Sequence, residues 1–198
     1  DLETKDYVLI SLDEAFNVTG LKLNEKEQQA CITVIKAKNL NQYYYDNKSR
    51  YFFLNELNID ESDLITDYPN IYNHLKDYKD KLKSRYQYNK EIPYWNWVFL
   101  RNYSTFIKDE DKIFVPCKER ISHKNHYRFS YIEPGNFPTQ DATAITLKEN
   151  TQESIFYILA FLNLPIVFDW LKVKGVIKGS IVEFSAKPLD RKSTRLNS

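Results

Sequence analysis

Apolar and polar positions along the chain change period from one segment to the next. From Tyr68 to Tyr86 the residues Ile71, Leu75, Tyr78 and Leu82 recur at i, i+4, i+7 and i+11, the stripe of an amphipathic helix. Asp67 stands where it can cap that helix, and Pro69 falls in the first turn, where a missing N–H costs little. Lys76, Lys79, Lys81, Lys83 and Arg85 surround the stripe, with Asp77 and Asp80 among them. Asn24 to Gln29 reads as the opening of a short helix. Tyr7 to Phe16 has no clear period, and Trp95 to Leu100 is dense in aromatic rings. Short β-prone runs predict strands at Cys31–Ile35, Arg50–Leu54, Lys112–Pro116, Arg128–Ile132, Ala142–Leu147 and Ile181–Phe184. Glu133-Pro-Gly-Asn is a turn signal. Thr151 is expected to cap a buried helix over Gln152–Leu162. Pro165 then restarts the chain into a second helix, Ile166–Val173, and the glycine-bearing stretch from Lys174 to Ser180 is read as a turn. Helices and strands mix without regular βαβ alternation, so the expected fold class is α+β.

Length and composition fit one soluble globular domain. The longest apolar run, Ile155 to Leu162, is far too short to span a bilayer, and the first residues lack a basic-then-apolar leader pattern. The expected location is therefore the cytoplasm, with no membrane partner. Cys31 and Cys117 lack CxxC spacing and read as ordinary buried thiols. His123 and His126, three apart, are weak metal ligands at best. Net charge is only +1, yet it is unevenly spread. Residues 1–30 carry seven acids against three bases, whereas residues 76–128 carry thirteen bases against seven acids. Such asymmetry points to an anionic partner more than the net value does.

Several segments carry a family resemblance. In chain order they are Val34-Ile-Lys-Ala-Lys-Asn-Leu, Arg50-Tyr-Phe-Phe-Leu, Tyr68-Pro-Asn-Ile-Tyr-Asn-His-Leu, Trp95-Asn-Trp with Arg101, Asp111-Lys-Ile-Phe-Val-Pro, Phe156-Tyr-Ile-Leu-Ala-Phe-Leu-Asn-Leu-Pro and Lys178-Gly-Ser-Ile-Val-Glu-Phe-Ser-Ala-Lys-Pro-Leu. Their order and spacing resemble the TaqI-like C-terminal specificity domain of adenine-specific DNA methyltransferases and type IIG restriction–modification enzymes. The chain departs from that family at Lys36-Ala-Lys-Asn, where the family often has Gly-Arg-Asp. It departs again after Leu189, where an apolar continuation is replaced by Arg191-Lys-Ser-Thr-Arg-Leu-Asn-Ser. Residues 1–190 are accordingly read as the recognition domain and 191–198 as a disordered or foreign tail.

The resemblance implies sequence-specific binding of duplex DNA on behalf of a parent enzyme that methylates adenine N6. S-adenosylmethionine would belong to the parent's catalytic domain, on the same or a separate chain, and this chain would need no cofactor. The residues agree with that division. There is no Asn-Pro pair, no glycine-rich strand–helix turn, no Asp…Glu-x-Lys set and no local Ser/His/Asp or Cys/His arrangement, so no activity of its own is expected.

Reading DNA takes cations on phosphates and a few donors on base edges. Lys118, Arg120, His123, Lys124, Asn125, His126 and Arg128 supply both between two expected strands, although such a loop can also be merely solvated. Arg101 suits a phosphate, a stacked ring or a core edge equally. Lys36 and Lys38 sit where the family has a polar stretch. Tyr43-Tyr-Tyr reads as core and strand edge rather than a stacking platform, and the basic face of the 68–86 helix as solvated. The alternative function is a protein–protein docking module associated with a methyltransferase catalytic subunit.

Overall fold

The computed structural model describes residues 14–85, 87, 90–98 and 103–183. It confirms an α+β fold of short helices and small sheets. The chain forms two compact units, one of residues 1–33 and 49–103 and the other of residues 34–48 and 104–198. The expected tail at 191–198 lies outside the described residues, as does Arg101.

The first unit holds α1 (Glu25–Gln29), the start of β1 (Cys31–Ile35), β2 (Ser49–Phe52), α2 (Glu61–Asp67), α3 (Pro69–Leu75) and α4 (Lys79–Lys83). Asn24 caps α1 in a reciprocal box with Glu27, and Asp60 caps α2 in the same way with Asp63. The long helix expected over 68–86 is instead two helices joined by a 3-10 turn at Lys76–Tyr78. Its stripe survives the break, with Ile71, Leu75 and Leu82 buried and Tyr78 half-buried. Asp67 does not cap α3. It closes α2 and pairs with Lys26 at 2.5 Å.

The cap of α3 comes from another helix. Glu27, fully buried, accepts from the N–H groups of Asn70 (2.6 Å) and Ile71 (3.1 Å), and from the Asn70 amide (2.8 Å). A carboxylate at a helix N-terminus satisfies N–H groups that lack a partner within the helix and meets the favourable end of its dipole. An aromatic cluster completes this unit. Phe16 and Phe52 lie 4.9 Å apart and Phe16 and Trp97 5.1 Å apart, while the Trp97 indole N–H donates to the Phe52 carbonyl at 2.9 Å.

The second unit contains α5 (Tyr103–Phe106), whose first residue belongs to the first unit, then β3 (Lys112–Pro116), β4 (Lys118–Arg120), β5 (Ser130–Ile132), β6 (Asn136–Pro138), β7 (Ala142–Ile145), α6 (Ile155–Leu162), α7 (Pro165–Lys174), β8 (Val176–Lys178) and β9 (Ile181–Glu183). β3 is central to one antiparallel sheet in the order β5-β3-β7, and β9 to another in the order β4-β9-β8. Every residue of β3 is buried. Ile113 and Val115 pack with Tyr127, Phe129, Leu159, Phe168 and Leu171, whereas Phe114 packs with Ile35, Leu40 and Ile132. A strand covered on both faces reads as a continuous apolar run, which is why its bounds were legible.

Three expectations change here. Ser154, not Thr151, caps α6, which begins at Ile155. That helix is buried only along Ile155 and Leu159, and Phe156, Tyr157 and Phe161 are exposed. The stretch read as a turn contains β8, which forms a hairpin with β9 around Gly179 at φ 61°. The turn at Glu133–Asn136 is present, with Gly135 at φ 75°. Among the described residues no single helix is long and apolar enough to cross a membrane.

Candidate nucleic-acid interface

Strand β4 alternates exposed, buried, exposed. Lys118 and Arg120 therefore project outward while Glu119 turns inward, as the two-residue period of a strand requires. Both oxygens of Glu119 are engaged. Lys124 Nζ donates to Oε1 at 2.7 Å and Arg128 Nε to Oε2 at 2.7 Å. A buried carboxylate needs such partners, since an uncompensated one would carry the full cost of desolvation. Arg128 also reaches a second segment: Nη1 donates to the carbonyls of Ala37 (3.2 Å) and Leu40 (3.1 Å). Those carbonyls bracket the 3-10 turn Ala37–Asn39 that carries Lys38. One guanidinium thus ties the 36–40 segment to the 118–128 segment.

The register of the second sheet arranges its outer face. Lys118 stands opposite Glu183, which stands opposite Val176, and Arg120 stands opposite Ile181, which stands opposite Lys178. Directly opposed residues share a face. Lys118, Arg120 and Lys178 therefore lie on one side of the sheet with a single acid, Glu183. Lys178 pairs with Glu183 at 2.8 Å, and that lysine holds the carboxyl below its ordinary range.

The remaining expected residues fall around this frame. Lys38, His123 and Asn125 are exposed, and Lys36 and His126 are half-buried. His123 adopts φ 62°, a left-handed conformation that histidine tolerates better than most side chains. His126 Nδ1 lies 3.0 Å from Asn125 Oδ1. Among the described residues, no group of three or more His, Cys, Asp or Glu is placed to hold a metal. Both cysteines are reduced and half-buried, and burial pushes the Cys31 thiol up to about 11.

Two features were not foreseen. Lys178 lies on a strand rather than in a turn, and Gly-Ser between two β-branched pairs is the hairpin signal in the sequence that marks it. Tyr43 and Tyr44, expected in the core, are exposed. Tyr43 sits at φ 76° because its N–H donates to Phe129 (2.8 Å) and its carbonyl accepts from Tyr131 (3.0 Å), so the strand-edge half of that expectation holds. The rings line an open cleft of about 270 Å³ with Tyr45, Tyr131 and Glu133.

No family model matches the chain. Curated relatives do. The chain is 51% identical over 178 residues to the type II methyltransferase M.HindII of Haemophilus influenzae, covering 90% of this chain and 34% of that protein. It is 50% identical over 178 residues to M.HincII of Haemophilus influenzae (90% and 35%), and 32% identical over 183 residues to M.MjaIV of Methanocaldococcus jannaschii (90% and 59%). The chain thus spans about a third of the length of the two Haemophilus relatives. Its fold is similar to part of MmeI, a type IIL restriction–modification enzyme solved in complex with DNA. That likeness has a TM-score of 0.56 at 13% identity, over 88% of this chain and 22% of MmeI. Over 90% of its own length the chain is thus similar to part of three type II methyltransferases.

Proposed function

We propose that residues 1–190 are the target-recognition domain, TaqI-like in kind, of a site-specific adenine-N6 DNA methyltransferase. The observation that supports this reading best is the outer face of the β4-β9-β8 sheet, where Lys118 and Arg120 on β4 and Lys178 on β8 are displayed from the two strands that flank β9. Arg128 holds the Lys38 turn to the same segment of chain. Cations on a rigid sheet suit phosphates, while His123 and Asn125 on the adjoining loop suit base edges. S-adenosylmethionine and the chemistry of transfer belong, on this reading, to the part of the relatives that this chain does not span.

A duplex gel shift at increasing salt tests it. Affinity should fall steeply with salt, since neutralised phosphates release counterions. Absence of duplex binding at low salt, or binding indifferent to salt, would reject the reading. The purified chain mixed with S-adenosylmethionine and DNA should transfer no methyl group.

A further inference from the structure

We propose that the exposed apolar face of α6 and α7, continued by the tyrosine cleft, docks the methyltransferase portion that the relatives possess beyond this segment. The inference rests on the reading just given and assigns the partner to a surface. On α7, Ile166, Trp170 and Val173 recur at i, i+4 and i+7, and they are 70%, 47% and 80% exposed. The opposite stripe, Val167, Phe168 and Leu171, is buried in the core of the unit. Phe156 and Phe161 extend the exposed series along α6. From Phe156 to Val173 exposed large apolar side chains stand no more than four residues apart. Isolated exposed leucines need no explanation, but a sustained stripe of this kind marks an interaction surface.

The chemistry of the face points to protein rather than DNA. Its rings and aliphatic side chains are the types enriched at the centre of protein interfaces, where charge is depleted. Lys172 is paired with Asp169. The Tyr131 ring packs on Phe156 at 5.0 Å, which joins the helix face to the tyrosine cleft. That cleft is electronegative: Tyr45 donates to Glu133 at 2.9 Å and Tyr131 to Asp111 at 2.8 Å. Phosphates are repelled from such a cleft, whereas a Lys or Arg side chain is drawn onto its rings. The matched relatives supply the occupant, because about two-thirds of M.HindII lies outside its similarity to this chain. The partner is therefore a protein surface with apolar side chains opposite Ile166 and Trp170 and one cation opposite Glu133.

The test uses the 198-residue chain alone and the same chain grafted into M.HindII in place of the 178 matched residues. Ile166→Asp with Trp170→Asp, and separately Glu133→Gln, are made in both. The isolated variants should melt as the wild type does, because the changed positions face solvent, and should keep their duplex affinity within about twofold. In the graft the double variant should lower methylation by at least about tenfold, and Glu133→Gln by less. A graft whose methylation ignores the double variant overturns the proposal. Loss of duplex affinity in the isolated double variant assigns the face to DNA and overturns it too. Dimerisation of the isolated wild type that the double variant abolishes assigns the face to a second copy, with the same consequence. A wild-type graft that fails to fold also counts against it, since a face built for this occupant must accept it. Failure of the wild-type chain to bind duplex is a separate result, which rejects the recognition reading and leaves the methylation arms to judge the docking.

Discussion

Arg128 Nε donates to Glu119 Oε2 at 2.7 Å, nine residues away in sequence and across a turn of the second unit. The same guanidinium holds the Ala37 and Leu40 carbonyls, so a single side chain fixes the mutual placement of two segments expected to meet DNA. Its charge is partly spent on that task. Arg128 is thereby a positioning residue for Lys38 and for the loop that carries His123 and Asn125.

Replacing Arg128 by Ala should then behave as a structural change first. Two carbonyls lose a donor and Glu119 keeps only Lys124, which predicts a loss of about 1–3 kcal/mol. Arg128→Lys should recover less than half of it, because one ammonium cannot reproduce the planar fork. Thermal melting of the three proteins checks this. Equal melting temperatures for wild type and Arg128→Ala would show that the hub adds nothing.

Arg120 predicts the opposite pattern. It projects from β4 on the outer face, and no hydrogen bond or ion pair involving its side chain is found among the described residues. Arg120→Ala should leave the melting temperature unchanged and weaken binding to all duplexes about equally. The slope of log affinity against log salt should shrink by about one unit. Lys178→Ala should do likewise, tempered by the Glu183 charge it now neutralises. Relaxed preference at one base position, with the slope intact, would instead mark Arg120 as a base reader.

Gly175 joins α7 to β8 at a place with no room for a side chain. A Cβ there would meet the Leu171 carbonyl oxygen at 2.7 Å and Val182 Cγ1 at 2.8 Å, one of them backbone and unable to swing aside. Gly175→Ala should cost about 1–3 kcal/mol, the usual scale of overpacking. Denaturant unfolding measures it. A neutral result would mean that the α7–β8 junction relaxes freely.

These contrasts also mark how far the sequence could be read. Cys31–Ile35 and Lys112–Pro116 are both legible as strands from their β-prone runs, although only Lys112–Pro116 is buried throughout and Cys31–Ile35 is buried at Val34 and Ile35 alone. The Ile71–Leu82 stripe was legible as a helical face, but the 3-10 turn that divides it was not, since nothing in the local pattern interrupts the period there. Asp67 was a reasonable cap by proximity. The acceptor actually used, Glu27, lies more than forty residues earlier and is brought there by tertiary packing. The basic character of 118–128 was evident, whereas the identity of Glu119 as the anion that organises it depended on a strand pairing with β9. Tyr43, Tyr44 and Tyr45 read as core because rings usually are buried. Tyr45 does pack against the core, whereas the two backbone hydrogen bonds that hold Tyr43 at positive φ leave Tyr43 at the exposed strand edge, with Tyr44 exposed beside it.

Glu27 gives a prediction with a definite sign. Burial alone would raise its carboxyl, yet the donors around it (the Asn70 side chain, then the backbone N–H groups of Asn24, Ile71 and Asn70) outweigh that and hold it below its ordinary range. A carboxyl depressed in the folded state contributes stability that is fully present above its unfolded pKa of about 4.3 and is lost as pH falls through the lower folded value. The protein should therefore melt at an almost constant temperature from about pH 7 to pH 5, so far as Glu27 governs it, and progressively lower below about pH 4. Glu27→Gln should be less stable at neutral pH, because a neutral amide accepts more weakly from two N–H groups at the α3 N-terminus and adds donors of its own. Its acid limb should be correspondingly shallower, so the two melting curves converge toward low pH. If Glu27→Gln instead loses the same increment at pH 3 as at pH 7, the carboxylate's charge is not what holds α3 in place, and side-chain shape alone would account for the contact.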